Sequence, residues 1–118
     1  MRPVQGSDPR VYRRYNVRVP IELERAGRVE ALETEDVSQG GCRVVVPSRW
    51  GKGERVQVRM CAPRLPLEAS GAATVAWARG EVPCRVGLRF SEELASRMAP
   101  YLRALLGPVP LLTKEDGQ

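Results

Sequence analysis

The chain has 118 residues, 42% hydrophobic and 28% charged, a size for one domain rather than two and a composition ordinary for a folded protein. Its formal net charge of +5 is unevenly spread: residues 1–18 carry five arginines against Asp8 alone, and residues 19–36 carry six carboxylates against Arg25 and Arg28. There is no histidine, which removes the Ser-His and Cys-His nucleophile schemes, the commonest metal ligand and the usual general acid-base group, so no enzyme and no metal site are expected.

Residues 1–9 hold Pro3, Gly6, Ser7, Asp8 and Pro9 without periodicity and read as a flexible arm. From Val17 the chain alternates, with Val17, Val19, Ile21 and Leu23 on one face and Arg18, Glu22 and Glu24 on the other, the pattern of a half-buried strand. Pro20 cannot donate to a ladder and implies an edge position or a bulge. Ala26-Gly27 supplies a hairpin turn into a second strand that runs from Val29 to Val37. Asp36-Val37-Ser38-Gln39-Gly40-Gly41 then makes a tight turn.

Cys42 to Val46 is a third strand, stopped by Pro47. A turn at Trp50–Gly53 leads to a strictly alternating fourth strand, Arg55–Met60. After a loop at Ala62–Pro66, Leu67 to Arg79 gives a long fifth strand with a bend or bulge expected at Gly71. Cys84 to Phe90 gives the sixth. The period then changes to helical: Ser91 as N-cap, Glu92 and Glu93 in the first turn, an apolar stripe of Leu94, Met98, Tyr101, Leu102 and Leu105, and a stop at Gly107-Pro108. Pro100 predicts a kink or a break into two short helices. Residues 108–118 read as a loose tail. The expected fold is all-β: a six-stranded antiparallel barrel with a C-terminal α-helix.

Cys42, Cys61 and Cys84 lack CxxC spacing and read as small buried hydrophobes rather than disulfide or zinc partners. No run approaches about 18 apolar residues and the N-terminus lacks a secretory apolar core, so no membrane insertion and a cytoplasmic location are expected.

The candidate site pairs the arginines Arg10, Arg13, Arg14 and Arg18 with the Asp36–Gly41 turn, which begins 18 residues after Arg18. Arginine forks donate bidentately to phosphates and to the O6/N7 edge of guanine, and they stack on rings. Asp36 accepts from guanine N1–H or N2–H, and Ser38 adds a hydrogen bond. Gly40 and Gly41 permit close backbone approach and positive φ. This is equipment for a small anionic ligand with base edges. Trp77 reads as core or barrel wall rather than as a ligand platform.

The order of these pieces carries a resemblance. Arg14-Tyr15-Asn16-Val17-Arg18 gives RxxxR, a strand hairpin follows, and Asp36 to Gly41 gives DxSxxG; Val75-Ala76-Trp77 and Val86-Gly87-Leu88-Arg89-Phe90 match the later strand pair. The chain resembles the PilZ domain, a bacterial receptor module for the second messenger cyclic di-GMP, over residues 10–107. The resemblance implies Arg14 and Arg18 as the main ligand arginines, with Asp36, Ser38 and Gly41 opposing them and Arg13, Arg10 and Gly40 as further candidates. Arg10 and Arg14 also satisfy RxxxR; the Arg14/Arg18 register is preferred because Arg18 leads straight into the strand. Arg13, just before the motif, would stack on a guanine. The charge segregation of residues 1–36, with like charges repelling and few apolar residues to anchor the start of the chain, leads to the expectation of an arm, mobile through residue 18 without ligand, that orders on binding and presents a surface to a protein partner. Two other readings stand beside it: a PilZ-like adaptor that binds no nucleotide, with the helix or the Leu65-Pro66-Leu67 loop as its contact surface, and a basic barrel for DNA or RNA. The acidic stretch 19–36 and the scarcity of aromatic platforms count against the last.

Overall fold

Alternation sorts each strand into an inner and an outer row, and the computed structural model, which describes residues 12–62 and 66–107, rolls those rows into a barrel. β1 (Pro20–Arg25), β2 (Arg28–Val37), β3 (Gly41–Val46), β4 (Arg55–Cys61), β5 (Glu68–Arg79) and β6 (Cys84–Phe90) are followed by α1 (Glu92–Leu106). The strand order is β1-β2-β3-β6-β5-β4, closed by pairing of β4 with β1, and every pair is antiparallel. Ile21, Leu23, Val44, Val46, Val58, Met60, Val75, Val86 and Leu88 fill the interior, each at most 2% exposed. This is the expected fold class. The arm at 1–9 and the tail at 108–118 lie outside the described residues, as do residues 63–65 of the expected loop.

Four details differ from expectation, each for a physical reason. β1 begins at Pro20, not Val17. One buried hydroxyl replaces the ladder before it: Val19 N–H donates to Thr34 Oγ1 at 3.0 Å, and Thr34 Oγ1 donates to the Val17 carbonyl at 2.8 Å. Pro20 is neither on an edge nor in a bulge; it is the first strand residue, and pairing with β4 starts one residue later, at Ile21, so its missing donor is not needed there. Gly71 holds regular register opposite Val58. Its role is space, since a Cβ there would come within 2.9 Å of Leu94 Cβ, so glycine lets α1 approach the sheet. Finally, α1 is one helix through Pro100 rather than two short ones; Pro100 faces solvent, as does Ser96, whose carbonyl loses its helical donor to the proline.

The Ala26-Gly27 hairpin is formed as expected, with φ of +52° and +79° at its two central residues, the mirror-image turn that matches strand twist. Leu94, Met98, Tyr101 and Leu102 bury the helix stripe, mainly along β5. Tyr101 O–H donates to the Cys61 carbonyl at 2.8 Å, and burial pushes its pKa up to about 12. Cys42 and Cys84 are buried as expected, whereas Cys61 is only half-buried; desolvation raises the Cys42 thiol well above its ordinary value. Ser91 caps the helix by accepting from Leu94 N–H at 3.1 Å. Replacing it (Ser91→Ala) is expected to lower stability by about 1 kcal/mol in urea unfolding, with the barrel otherwise intact.

Candidate functional site

Two irregularities of the sheet build the site. Between Thr34↔Val44 and Asp36↔Arg43 the β2–β3 register shifts by one residue, at Glu35. Simple alternation from the buried Thr34 would send Asp36 inward; the extra residue instead faces Asp36 against Arg43 and returns Val37 to the core. A second shift lies on β5 between Val75 and Trp77. It takes Trp77 off the inner row, opposite Gly87 of β6, where a Cβ would overlap the indole ring. Trp77 is therefore wall rather than core, and its ring borders the same groove as Asp36.

The turn after β2 is held by Ser38. Its hydroxyl accepts from Gly40 N–H at 3.2 Å and Gly41 N–H at 3.1 Å and donates to the Gly41 carbonyl at 3.3 Å. With donor and acceptors used within the turn, Ser38 serves the site by shaping it. Gly40 and Gly41 do not adopt positive φ. What Gly41 requires is room, because a Cβ there would overlap the Leu88 carbonyl oxygen on β6.

The segment before β1 reaches the site through Tyr15. Its N–H donates to the Val37 carbonyl at 2.8 Å, and Val37 N–H donates back to the Tyr15 carbonyl at 2.9 Å. This bridge sets Arg14 beside Asp36, with Arg14 Nη1 3.8 Å from Asp36 Oδ2. It also ties the backbone to β2 at Tyr15, inside the segment through residue 18 that was expected to be mobile. Tyr15 and Val17 pack on the core and supply the anchorage that arginine repulsion alone would deny.

Arg14, Asp36, Ser38, Gly41, Arg43, Trp77 and Arg79 border a cleft of about 390 Å³. It adjoins a second hollow of about 570 Å³, shared by Arg14, Arg43, Trp77 and Arg79 and extended by Arg85. Arg43 Nη2 lies 3.0 Å from Asp36 Oδ2, and Arg43 Nε lies 3.4 Å from Glu35 Oε1. Arg85 grips both oxygens of Glu35, at 2.9 and 3.1 Å; that hydrogen bonding, with the nearby charges of Arg85, Arg43 and Arg18, holds the Glu35 carboxyl below its ordinary range despite some burial. The Arg79 guanidinium sits 4.8 Å from the centre of the Trp77 ring. Chemically, the groove offers forked cations, one almost buried carboxylate and one indole. Among the described residues, no group of three or more His, Cys, Asp or Glu side chains is placed to hold a metal ion.

The structure thus brings together Arg14, Asp36, Ser38 and Gly41 of the sequence candidates. Arg18 is exposed and outside the groove lining, with its charge felt at Glu35. Arg13 is not among the residues lining the groove and instead borders a crevice against α1 with Tyr12, Tyr15, Gln39 and Leu102. Gly40 acts through its carbonyl, which accepts from Phe90 N–H at 2.9 Å. Arg10 lies outside the described residues. Sequence reasoning missed Arg43, Arg79 and Gly87. A glycine inside the β6 alternation is a signal of close approach, and Arg79 follows Trp77 by two; nothing local marks Arg43.

A family model described as the PilZ domain matches residues 8–106. Among solved structures, the PilZ domain of YcgR from Escherichia coli with c-di-GMP is similar at TM-score 0.64 and 16% identity, covering 84% of this chain and 92% of that one. The PilZ domain of CeSA from a cellulose-synthesizing bacterium is similar at TM-score 0.60 and 20% identity, covering 80% and 96%. The Bacillus subtilis inhibitor of motility, MotI/DgrA, is similar at TM-score 0.68 and 16% identity, covering 84% of this chain; the chain spans 50% of that protein's length. No curated protein matches.

Proposed function

Because this chain belongs to the PilZ domain family, we propose that it is a bacterial receptor for cyclic di-GMP that passes the signal to a protein partner. The observation that carries this reading is the groove in which Arg14, Arg43 and Arg79 surround the single carboxylate Asp36 beside Trp77. Guanine presents N1–H and N2–H donors on one edge and O6 and N7 acceptors on another. A carboxylate suits the first and an arginine fork the second. Two phosphate charges are met by the surplus of guanidinium groups, and the indole gives a purine ring an apolar face already polarised by Arg79. Gly41 and Ser38 hold the turn that presents Asp36.

In this reading Arg14 is already in place, and Arg18 swings from the Glu35 side to close over the ligand. The chain N-terminal to Tyr12, including Arg10, is drawn in behind them, and its rearranged surface is what a partner recognises. The adaptor reading draws support from one feature: Asp36 is ion-paired with Arg43, and the Ser38 hydroxyl is consumed within its turn, so both are satisfied without nucleotide.

Calorimetric titration with cyclic di-GMP, followed in parallel by tryptophan fluorescence, tests the proposal. Binding at about micromolar Kd or tighter, with a change in Trp77 emission and no comparable response to a generic oligonucleotide, is the expected result. A folded sample that gives neither heat nor spectral change at high micromolar ligand overturns it and leaves the adaptor.

A further inference from the structure

Resting on the receptor reading, we propose that Arg43 is a positioning residue that sets base selectivity by fixing which oxygen of Asp36 faces the ligand. The two guanidinium groups beside Asp36 make their closest approach to the same atom: Arg43 Nη2 at 3.0 Å and Arg14 Nη1 at 3.8 Å, each from Oδ2. The Asp36 side chain is only 6% exposed, so it cannot turn freely into water. Arg43 has a second charge beside it: its Nε, buried and without a hydrogen-bond partner, lies 3.4 Å from Glu35 Oε1, and Glu35 is gripped at both oxygens by Arg85. A chain of alternating charge, Arg85–Glu35–Arg43–Asp36, therefore crosses β6, β2 and β3 and ends at the carboxylate in the groove.

Selectivity follows from the rigidity of that chain's end. A carboxylate oxygen held toward the base accepts from guanine N1–H and N2–H. Adenine presents a lone pair at N1 instead, which repels the same oxygen, and a donor only at N6. A fixed Asp36 penalises adenine; a loose one turns to find the N6 donor and loses discrimination. The sheet specifies this arrangement directly, because the register shift at Glu35 makes Asp36 and Arg43 cross-strand partners and puts Glu35 on the same surface.

The test measures the ratio of affinities for cyclic di-GMP and cyclic di-AMP in the unmodified chain, Arg43→Gln and Arg43→Lys. Thermal unfolding confirms that each sample is folded. Arg43→Lys keeps a cation between the two carboxylates, and so keeps the fold, but a single ammonium cannot span them as a fork does. The guanine preference is expected to fall about tenfold in both variants, with total affinity for cyclic di-GMP better kept in Arg43→Lys. Equal weakening of both ligands, with the ratio unchanged, would make Arg43 only a phosphate contact and overturn the inference while leaving the receptor reading intact. If the unmodified chain binds cyclic di-GMP without preferring it to the adenine analogue, the inference also fails.

Discussion

Asp36→Ala is expected to weaken cyclic di-GMP binding by at least about 100-fold, roughly 3 kcal/mol. The loss has two sources: the acceptor for the guanine donors disappears, and Arg43 and Arg14 lose the oxygen on which they converge. Stability should hardly change, by about 0–1 kcal/mol, because Arg43 is over a third exposed and keeps Glu35 as a neighbour. Arg14→Ala should cost a similar factor through the opposite charge. The two differ in their response to salt. Removing Arg14 removes a phosphate partner and flattens the salt dependence of binding, whereas removing Asp36 leaves every cation in place. Titrations at two ionic strengths, with urea unfolding of each variant, check both halves. If both substitutions leave affinity within a factor of two, the ligand is not bound in this groove.

Gly41→Ala should behave in the reverse manner, with a large loss of stability of about 3 kcal/mol and a melting temperature lower by roughly 10 °C. The added Cβ would overlap the Leu88 carbonyl, a backbone atom of a paired strand that cannot move aside without opening the β3–β6 ladder. Gly51→Ala is the matched control: its Cβ would meet nothing nearer than the Glu54 side chain at 3.9 Å, and its effect should stay within about 0.5 kcal/mol. Loss of ligand binding in Gly41→Ala would accordingly report a damaged barrel. A melting temperature unchanged from the unmodified chain would show that β6 yields at Leu88 and that the strand pair is looser than its register implies.

Most of the architecture was legible because a strand with one wet face must alternate, and five of the six strands do so over most of their length. The helix was legible from Ser91 at its start and Gly107 at its end, since both ends of a helix need partners for backbone groups. Two features hid from such reasoning. A register shift adds a residue without any distinctive side chain, so Glu35 and Ala76 gave no sign that Asp36 and Trp77 would leave the inner row. Pro100 was overweighted because its cost assumes a buried carbonyl four residues earlier, and Ser96 lies on the wet side of α1. At the site, motif spacing located Arg14, Asp36, Ser38 and Gly41. It did not separate an arginine in the groove from Arg13 and Arg18 beside it, because that depends on how Tyr15 pins the backbone. Arg43 belongs to a neighbouring strand and is found only through pairing.

Pairing of the first strand with the fourth has a consequence for how another protein can engage this one. Ile21 to Glu24 of β1 are paired with Gln57 to Met60 of β4, so an incoming peptide finds no margin along that seam; the margin left open is the start of β2, residues 28–33, which pair with β1 and with no residue of β3. Away from that stretch recognition goes through side chains, and a ligand that rearranges a few arginines alters much of what such a partner can read.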